Sequence, residues 1–373
     1  MAAQETMVKR TLIALAAALV ASAGWGLGAR ESTALSPDSM AFPGVRPSPF
    51  ASLLRHGGSV AVVYADRDTT SLRVIEIPVD GALPKEAPRP VFVDKVDIVS
   101  PLGGSFGLHA SAVVDGRLHL LYLDREKEDR PLLKRVREDA GGWRLELVEP
   151  FGPPVGVLVG VDGRPMDVWA PGSLLLRGET TNLVLRERCV PRGQAVLLDP
   201  ERETPSSGFG FWDDAAGELV VVLNGPEGVQ SSAMSGVGPV FALAETPDRG
   251  LAAATFDPGS RRILLLERDA GGGPFRQTTV TVCDGTNGLF LAWTPSGWLF
   301  VYDEVRSTPP GRWSWELVIL SPGPRTSGRP RYRRSVLSSD PSLLSGFRAL
   351  ITDGSIFILE MRDELRLLKT AAP

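Results

Sequence analysis

The stretch Gly107–Asp124, GLHASAVVDGRLHLLYLD, places two short apolar segments on either side of Asp115-Gly116. Segments of this length that are rich in apolar, branched and aromatic residues are typical of β-strands. Asp-Gly readily adopts the left-handed backbone conformations of a two-residue hairpin turn. The stretch therefore predicts a β-hairpin, and the next question is whether that hairpin recurs along the chain.

The hairpin pattern occurs seven times, the first copy being degenerate. Its turn glycines are Gly58, Gly116, Gly163, Gly217, Gly259, Gly297 and Gly354, so the copies recur at intervals of 38 to 58 residues. A repeat of roughly this length that contains only strands indicates a β-propeller with one four-stranded blade per repeat. We therefore expect an all-β, seven-bladed β-propeller, with six or eight blades as alternatives.

The copies also predict how each blade is arranged. The strand before the turn is expected to be innermost, with the more hydrophobic strand after the turn packed on both faces by neighbouring blades. The fifth copy, which begins at Gly250, is short and is expected to lack its outer strand. The seventh copy ends after three strands, so a strand within Ser39–Arg46 is expected to complete it and close the ring.

The N-terminal segment has the pattern of an export signal. Lys9-Arg10 precedes the apolar run TLIALAAALVASAGWG, and Ala21-Ser22-Ala23 forms an A-x-A cleavage site. We expect residues 1–23 to be a cleaved signal peptide or, alternatively, an uncleaved membrane anchor. Residues 24–48 are expected to form a linker and residues 49–373 the propeller. This organisation predicts a periplasmic, secreted or membrane-anchored protein that touches a membrane only through an uncleaved N-terminus.

Composition excludes some partners and sites. The 373 residues are 43% hydrophobic and 23% charged, with a net charge of −4 and no basic stripe, so we expect no nucleic-acid partner. The chain has two cysteines, Cys189 and Cys283, which either form a disulfide or remain buried thiols. With only two cysteines and three histidines, no cysteine-based metal site is expected.

The second copy resembles the repeat of bacterial extracellular propellers of the sialidase-like and lectin-like kind. The pattern is G-x-x-x-S-A-V-V-D-G-x-x-H-x-x-Y-x-D, carried by Ser111, Asp115, Gly116, His119, Tyr122 and Asp124. The resemblance covers residues 49–370 and implies the fold. Sialidases also carry Asp boxes, S-x-D-x-G-x-x-W, and no intact copy occurs here. Their arginine triad and tyrosine nucleophile are therefore not carried over.

Polar and aromatic residues mark one expected end of the propeller. Most of the strands that follow a turn glycine end in acidic or polar groups, namely Asp66, Asp124, Asn224, Glu267, Asp303, Glu304 and Glu360. Such a ring of carboxylates would hold Ca²⁺ or sugar hydroxyls, or would simply cap the turns. Nearby aromatic residues would stack on a sugar or pack between blades. The candidate ligand-binding residues are His109, Tyr64, Asp66, Tyr122, Asp124, Trp169, Glu267, Tyr302 and Asp303.

The remaining patterns favour binding over catalysis. The chain has no H-E-x-x-H or Walker motif. His119 is interpreted as a structural residue between blades. We expect a module that recognises a protein or carbohydrate at one end of the channel, without a cofactor apart from Ca²⁺ on the carboxylates. The alternatives are a sialidase-like glycoside hydrolase or lyase and a purely structural scaffold.

Overall fold

A computed structural model of the chain describes part of the unit that spans Thr33–Pro373. The described residues are 33–34, 36–66, 68–96, 108–124, 132–150, 154–159, 165–169, 173–177, 182–187, 191–197, 208–225, 228–246, 248, 250–269, 273–308, 312–323, 332–340 and 346–372. The predicted signal segment lies outside them. No helix that is long and apolar enough to cross a bilayer occurs among these residues.

All regular structure in the described residues is β-strand. Two short strands come first, β1 (Thr33–Ala34) and β2 (Asp38–Phe42). The first blade contains β3 (Pro47–His56), β4 (Ser59–Asp66), β5 (Ser71–Pro78) and β6 (Val91–Lys95). The second contains β7 (Leu108–Val114), β8 (Arg117–Asp124), β9 (Leu132–Asp139) and β10 (Gly142–Pro150). The third contains β11 (Pro154–Val159), β12 (Pro165–Trp169), β13 (Ser173–Arg177) and β14 (Asn182–Glu187).

The second half of the chain continues the series. The fourth blade contains β15 (Pro191–Leu197), β16 (Gly208–Asp213), β17 (Glu218–Gly225) and β18 (Gly228–Met234). The fifth contains β19 (Phe241–Glu245), β20 (Leu251–Asp257), β21 (Arg262–Arg268) and β22 (Arg276–Val282). The sixth contains β23 (Leu289–Thr294), β24 (Gly297–Thr308), β25 (Arg312–Pro322) and β26 (Tyr332–Asp340). The seventh contains β27 (Gly346–Thr352), β28 (Ser355–Met361) and β29 (Leu365–Ala371).

These strands pair into seven sheets arranged as a propeller. Within each sheet the strands that follow one another in the chain are antiparallel neighbours. The first strand of each sheet contacts the first strand of the next, and β27 contacts β3, which closes the ring. The prediction of an all-β propeller is confirmed.

The core lies between blades because the middle strands are apolar on both faces. In β4 every residue from Val60 to Asp66 is buried. Val60 and Val62 pack towards the seventh blade with Phe357, whereas Ala61 and Val63 pack towards the second blade. Alternate side chains of one strand therefore stabilise two different interfaces.

The predicted hairpin turns have the expected backbone conformation. Asp115 and Gly116 have φ angles of 52° and 69°, and Asp353 and Gly354 have φ angles of 47° and 71°. Two consecutive positive φ angles define the mirror-image turn that suits the twist of paired strands. Asp tolerates this region better than most residues, and Gly adopts it without steric cost.

Two hairpins occupy a different place in the blade from the one predicted. The copies that begin at Gly208 and Gly250 form the second and third strands of their sheets, and the innermost strands are β15 and β19. The assignment of these hairpins to first and second strands is therefore wrong. The fifth blade is also complete, because β19 supplies the strand that the sequence pattern did not count. Hairpin turns look alike at either end of a blade, so turn chemistry alone does not distinguish the two positions.

The N-terminus closes the ring as expected. Strand β2 pairs antiparallel with β29, with Asp38 opposite Lys369 and Phe42 opposite Leu365. It thus supplies the outer strand of the seventh blade. Strand β1 adds in parallel to β26, pairing Thr33 with Ser335 at the outer edge of the sixth blade.

Candidate functional site

The sheet order defines two ends of the propeller. First strands begin at what we call the top end, where second strands also finish and where the connections between blades lie. First strands finish at the bottom end, where hairpins such as Asp115-Gly116 turn. The top end is the predicted binding surface.

Asp303, at the top end of the sixth blade, fastens the connection between β22 and β23. Its Oδ1 accepts hydrogen bonds from Thr286 Oγ1 at 2.8 Å, Asn287 N at 3.0 Å and Gly288 N at 2.7 Å. The residue is fully buried, and this burial raises the pKa of its carboxyl despite the three donors. Asp303 therefore acts within the fold as a fixed acceptor for a loop.

Asp124 and Tyr122 belong to a buried ionic network between the first two blades. Lys134 Nζ lies 2.5 Å from Asp124 Oδ2 and 3.2 Å from Asp94 Oδ2. The Tyr122 hydroxyl donates to the same Asp94 oxygen at 2.5 Å. Asp94 comes from β6 of the first blade, so these side chains connect two blades. A buried charge needs such partners because its desolvation is costly.

Asp66 closes a turn in the first blade. Its Oδ1 accepts from Asp68 N at 3.1 Å and its Oδ2 accepts from Thr69 Oγ1 at 2.6 Å. Because the residue is only 3% exposed, its carboxylate is occupied by the loop between β4 and β5. This arrangement matches the turn-capping alternative considered from the sequence.

Two further acidic residues, Glu360 of the seventh blade and Glu304 of the sixth, are also paired. Glu360 accepts a hydrogen bond from Ser338 Oγ and lies 3.5 Å from Arg362 Nη2. Glu304 lies 3.0 Å from Arg334 Nη2 of the same blade, and both side chains are about 95% buried. Glu360 therefore joins the sixth and seventh blades, whereas Glu304 stabilises the sixth blade itself.

The three candidate tyrosines are interior residues. Tyr64, Tyr122 and Tyr302 each have 0% exposure. Tyr64 packs against Phe42 of the closing strand, with the ring centroids 6.4 Å apart and the planes at 55°. Packing between blades is therefore favoured over stacking on a sugar for these three rings, since none of them is exposed to solvent. Their role in binding stays a prediction.

Glu267 lies at the opposite end of the molecule from Asp66, Asp124 and Asp303. It stands near the end of β21, a third strand, and its Oε1 accepts from Trp298 Nε1 at 2.7 Å at the bottom end.

The residue in the fourth blade that corresponds to Asp303 is Asp213, which is fully buried and accepts from Ala215 N at 3.0 Å. Sequence reasoning missed Asp213 because it took β16 for a first strand.

The side chains of His109 and Trp169 and the whole of Cys189 lie outside the described residues. The backbone places His109 on β7, where the register with β8 shifts between Leu108 and Ala110, and Trp169 at the end of β12.

Cys283 is a buried free thiol whose Sγ lies 3.4 Å from the Gly285 carbonyl oxygen. Its predicted disulfide with Cys189 stays a prediction.

His119 is a buried residue of the second blade. It is 3% exposed, stands opposite Ala112, and its Nδ1 has no hydrogen-bond partner. Burial, reinforced by Arg135 and Arg137, lowers its pKa to about 4. The ring is therefore neutral at pH 7, in accord with a structural role.

Arg348 is a cation at the top end that sequence reasoning missed. It lies on β27, and its Nε donates to the Ala51 carbonyl of β3 at 3.0 Å while Nη1 donates to the Phe347 carbonyl at 2.8 Å. Burial lowers its pKa to about 10, so it remains charged at neutral pH. The residue as a whole is half-buried, and its guanidinium is held between the innermost strands of two blades. The signal in the sequence is an arginine inside the otherwise apolar segment GFRALIT.

Within the described residues, one group of histidine and acidic side chains is close enough to hold a metal ion. It consists of His56, Glu76 and Glu138 and lies at the bottom end. The predicted Ca²⁺ site on the top-end carboxylates stays a prediction.

No protein-family model matches this chain, and no curated protein matches it in sequence. Solved structures match the fold. YCF48 bound to D1 peptide is 13% identical, with a TM-score of 0.56 over 92% of this chain and 98% of that one. An ancestral GH74 enzyme is 9% identical, with a TM-score of 0.52 over 90% of this chain and 48% of that one, so the chain spans about half the length of that enzyme. A mutant Trypanosoma rangeli sialidase is 12% identical, with a TM-score of 0.48 over 91% of this chain and 60% of that one. At these identities the likeness shows the fold alone.

Proposed function

We propose that this protein is an exported β-propeller that binds a segment of a partner protein at the top end of its channel, without catalysis. The observation that carries the proposal is the state of the top-end carboxylates. Asp66, Asp124, Asp303 and Glu360 are at most 3% exposed, and each is hydrogen-bonded or ion-paired inside the fold.

This burial weighs against the hydrolase alternative. Glycoside hydrolysis needs two carboxyl groups that reach the substrate from either side, separated by about 5–9.5 Å. Carboxylates that hold loops and neighbouring blades would have to break those contacts before touching a sugar. The described top-end acids therefore support the fold, and a binding role does not require them.

Arg348 and the structural neighbour both favour a peptide. A guanidinium forms strong, directional hydrogen bonds with carboxylates, so the top of the channel suits an acidic side chain or a C-terminal carboxylate. YCF48, whose whole length the chain nearly covers, was solved bound to a peptide. A carbohydrate remains the second class of ligand, since charge alone does not select between them.

Peptide and glycan arrays probed with the purified full chain test the proposal. We expect binding to peptides that carry acidic residues, and Arg348→Gln should weaken it at least tenfold. Arg366→Gln is the matched control, because Arg366 is an exposed arginine on β29. A folded chain that binds no peptide, or that releases fluorophore from a panel of fluorogenic glycosides, would overturn the proposal.

Export is tested separately by cell fractionation and N-terminal sequencing. We expect the mature chain outside the cytoplasm with its N-terminus just after Ala23. A chain recovered in the cytoplasm with residues 1–23 intact would contradict this part of the proposal.

A further inference from the structure

The bottom end carries a cluster of polar groups that the proposed binding surface does not use. His56 is the last residue of β3, and Glu76 lies on β5 of the same blade. Glu138 lies on β9 of the second blade, and Gly116 is in the turn between β7 and β8. The four residues meet at the seam between the first and second blades.

The alternation of side chains along the strands explains why they meet. Leu54 and Ala61 pack towards the second blade, and Glu76 is the cross-strand neighbour of Ala61. His56 is two residues beyond Leu54 and therefore shares its face. On the second blade, Glu138 Oε2 accepts from the backbone N of Leu118, whose side chain packs towards the first blade. Two facing surfaces thus bring an imidazole and two carboxylates together.

The distances around the imidazole fall into two groups with different chemistry. On one side, His56 Nδ1 lies 2.7 Å from Glu76 Oε1, which is the length of a hydrogen bond. On the other side, His56 Nε2 lies 3.2 Å from Glu138 Oε2 and 3.0 Å from the Gly116 carbonyl oxygen. One ring nitrogen therefore faces a single oxygen and the other faces two.

We propose that His56 Nε2, Glu138 Oε2 and the Gly116 carbonyl oxygen form a binding site for a divalent transition-metal ion, with Zn²⁺ as the best fit, at the seam between the first two blades. Zinc binds nitrogen and oxygen at about 2.0–2.2 Å, so two ligands of a tetrahedral ion are separated by about 3.3 Å. The separations of 3.0 and 3.2 Å from Nε2 are close to that value. Water completes the coordination.

Glu76 has the position of a residue that orients a metal ligand. A metal-binding histidine usually donates its other ring N–H to a carboxylate, which fixes the tautomer and aims the lone pair at the ion. The contact of Nδ1 with Glu76 Oε1 leaves Nε2 facing Glu138 and Gly116. Glu76 is thus a positioning residue, and its side chain is 46% exposed.

The mixed donor set and the exposure narrow the choice of ion. An imidazole nitrogen favours transition metals over Ca²⁺ and Mg²⁺, while carboxylate and carbonyl oxygens do not require a soft ion. Glu138 is 33% exposed, so solvent and metal reach the site from the bottom end without opening the blades. The competing occupant is a proton: an imidazolium would donate from Nε2 to the same oxygens.

Titration calorimetry with ZnCl₂ on the metal-stripped full chain at neutral pH distinguishes the two occupants. We expect one ion per chain, with proton release when zinc replaces the proton of the ring, and a higher melting temperature. His56→Ala should abolish binding, and Glu138→Gln should weaken it at least tenfold. Glu76→Gln should weaken it roughly 10–100-fold without abolishing it.

Glu86→Gln is the matched control, because Glu86 is an exposed glutamate of the loop between β5 and β6. Circular dichroism establishes that each variant is folded, and Co²⁺ in place of Zn²⁺ should give the visible absorption of a four-coordinate site in the parent chain and in Glu86→Gln but not in His56→Ala. Zinc binding that survives His56→Ala, or a parent chain that binds no zinc at millimolar concentration, would overturn the proposal.

Discussion

Met40 is the direct cross-strand partner of Leu367, although the two residues lie near opposite ends of the chain. Both are at most 1% exposed and belong to the core between the seventh and first blades. We expect Met40→Ala to lower the free energy of unfolding by about 2–5 kcal/mol, because it leaves a cavity in this core. Met40→Leu should cost less than about 1.5 kcal/mol. Urea denaturation measures both.

Ala41→Ser serves as the control for that pair, since Ala41 is exposed on the same strand. It should change stability by no more than about 0.5 kcal/mol. Equal stability of Met40→Ala and the parent chain would show that β2 does not close the ring in solution.

Asp303 should tolerate loss of its charge better than loss of its oxygen. Asp303→Ala leaves Asn287 N without its acceptor and takes one acceptor from Thr286 Oγ1 and one from Gly288 N, which still contact each other. An unsatisfied buried donor costs about 1–3 kcal/mol. Asp303→Asn keeps one acceptor oxygen, and burial already disfavours the charged carboxylate. We expect a loss above about 2 kcal/mol for alanine and a clearly smaller loss for asparagine.

Urea denaturation also measures this second pair, with Asp284→Asn as the control. Asp284 lies in the same connection, but its side chain is 71% exposed. If asparagine proved as harmful as alanine, the charge of Asp303 and not its acceptor geometry would be the stabilising feature.

His119 should make stability depend on pH. Its pKa is about 4 in the fold and 6.5 in an unfolded chain, so the unfolded chain takes up a proton first as the pH falls. The stability that neutral His119 contributes is thus complete above pH 6.5 and is lost as the pH falls towards 4, by about 3 kcal/mol at most. His119→Gln should remove this contribution to the change of the unfolding free energy with pH, measured by denaturation at a series of pH values between neutral and 4. If the unfolding free energies of both chains changed equally with pH, the burial of the ring would be contradicted.

Cys283 should be unreactive in the folded protein. It is fully buried, and this burial raises the pKa of its thiol to about 12. In a Cys189→Ser variant, a thiol reagent should modify Cys283 only after unfolding, since the thiolate is the reactive form. Counting thiols in denaturant on the unreduced parent chain tests the predicted disulfide between Cys283 and Cys189. Two thiols would contradict the disulfide, and none would support it.

Local patterns predicted the fold well because they depend on neighbouring residues. The turn at Asp115-Gly116 and the closing strand near Met40 follow from backbone conformation and from an unpaired sheet edge. The place of a hairpin within its blade is a long-range property. The innermost strand and the second strand of a blade are both apolar. The segment Gly208–Asp213 was therefore interpreted as an innermost strand, although it is the second strand of its sheet.

The candidate site was harder to predict because the sequence does not show whether an acidic residue at the end of a strand is buried. Asp124 has the same local sequence whether it faces a ligand or Lys134, and its network also needs Asp94 from another blade. His56 follows an apolar strand with no motif around it. Its contacts with Glu76 and Glu138 arise only when two blades pack together.

The pairing of β2 with β29 means that the ring does not depend on where the backbone is interrupted. Asp38 lies opposite Lys369, so a short linker joining the two ends would permit a circular permutant reopened at Asp115-Gly116. Such a chain would keep every sheet, and its new termini at the Asp115-Gly116 turn would again lie at the bottom end, where a tag or tether would sit away from the proposed peptide surface.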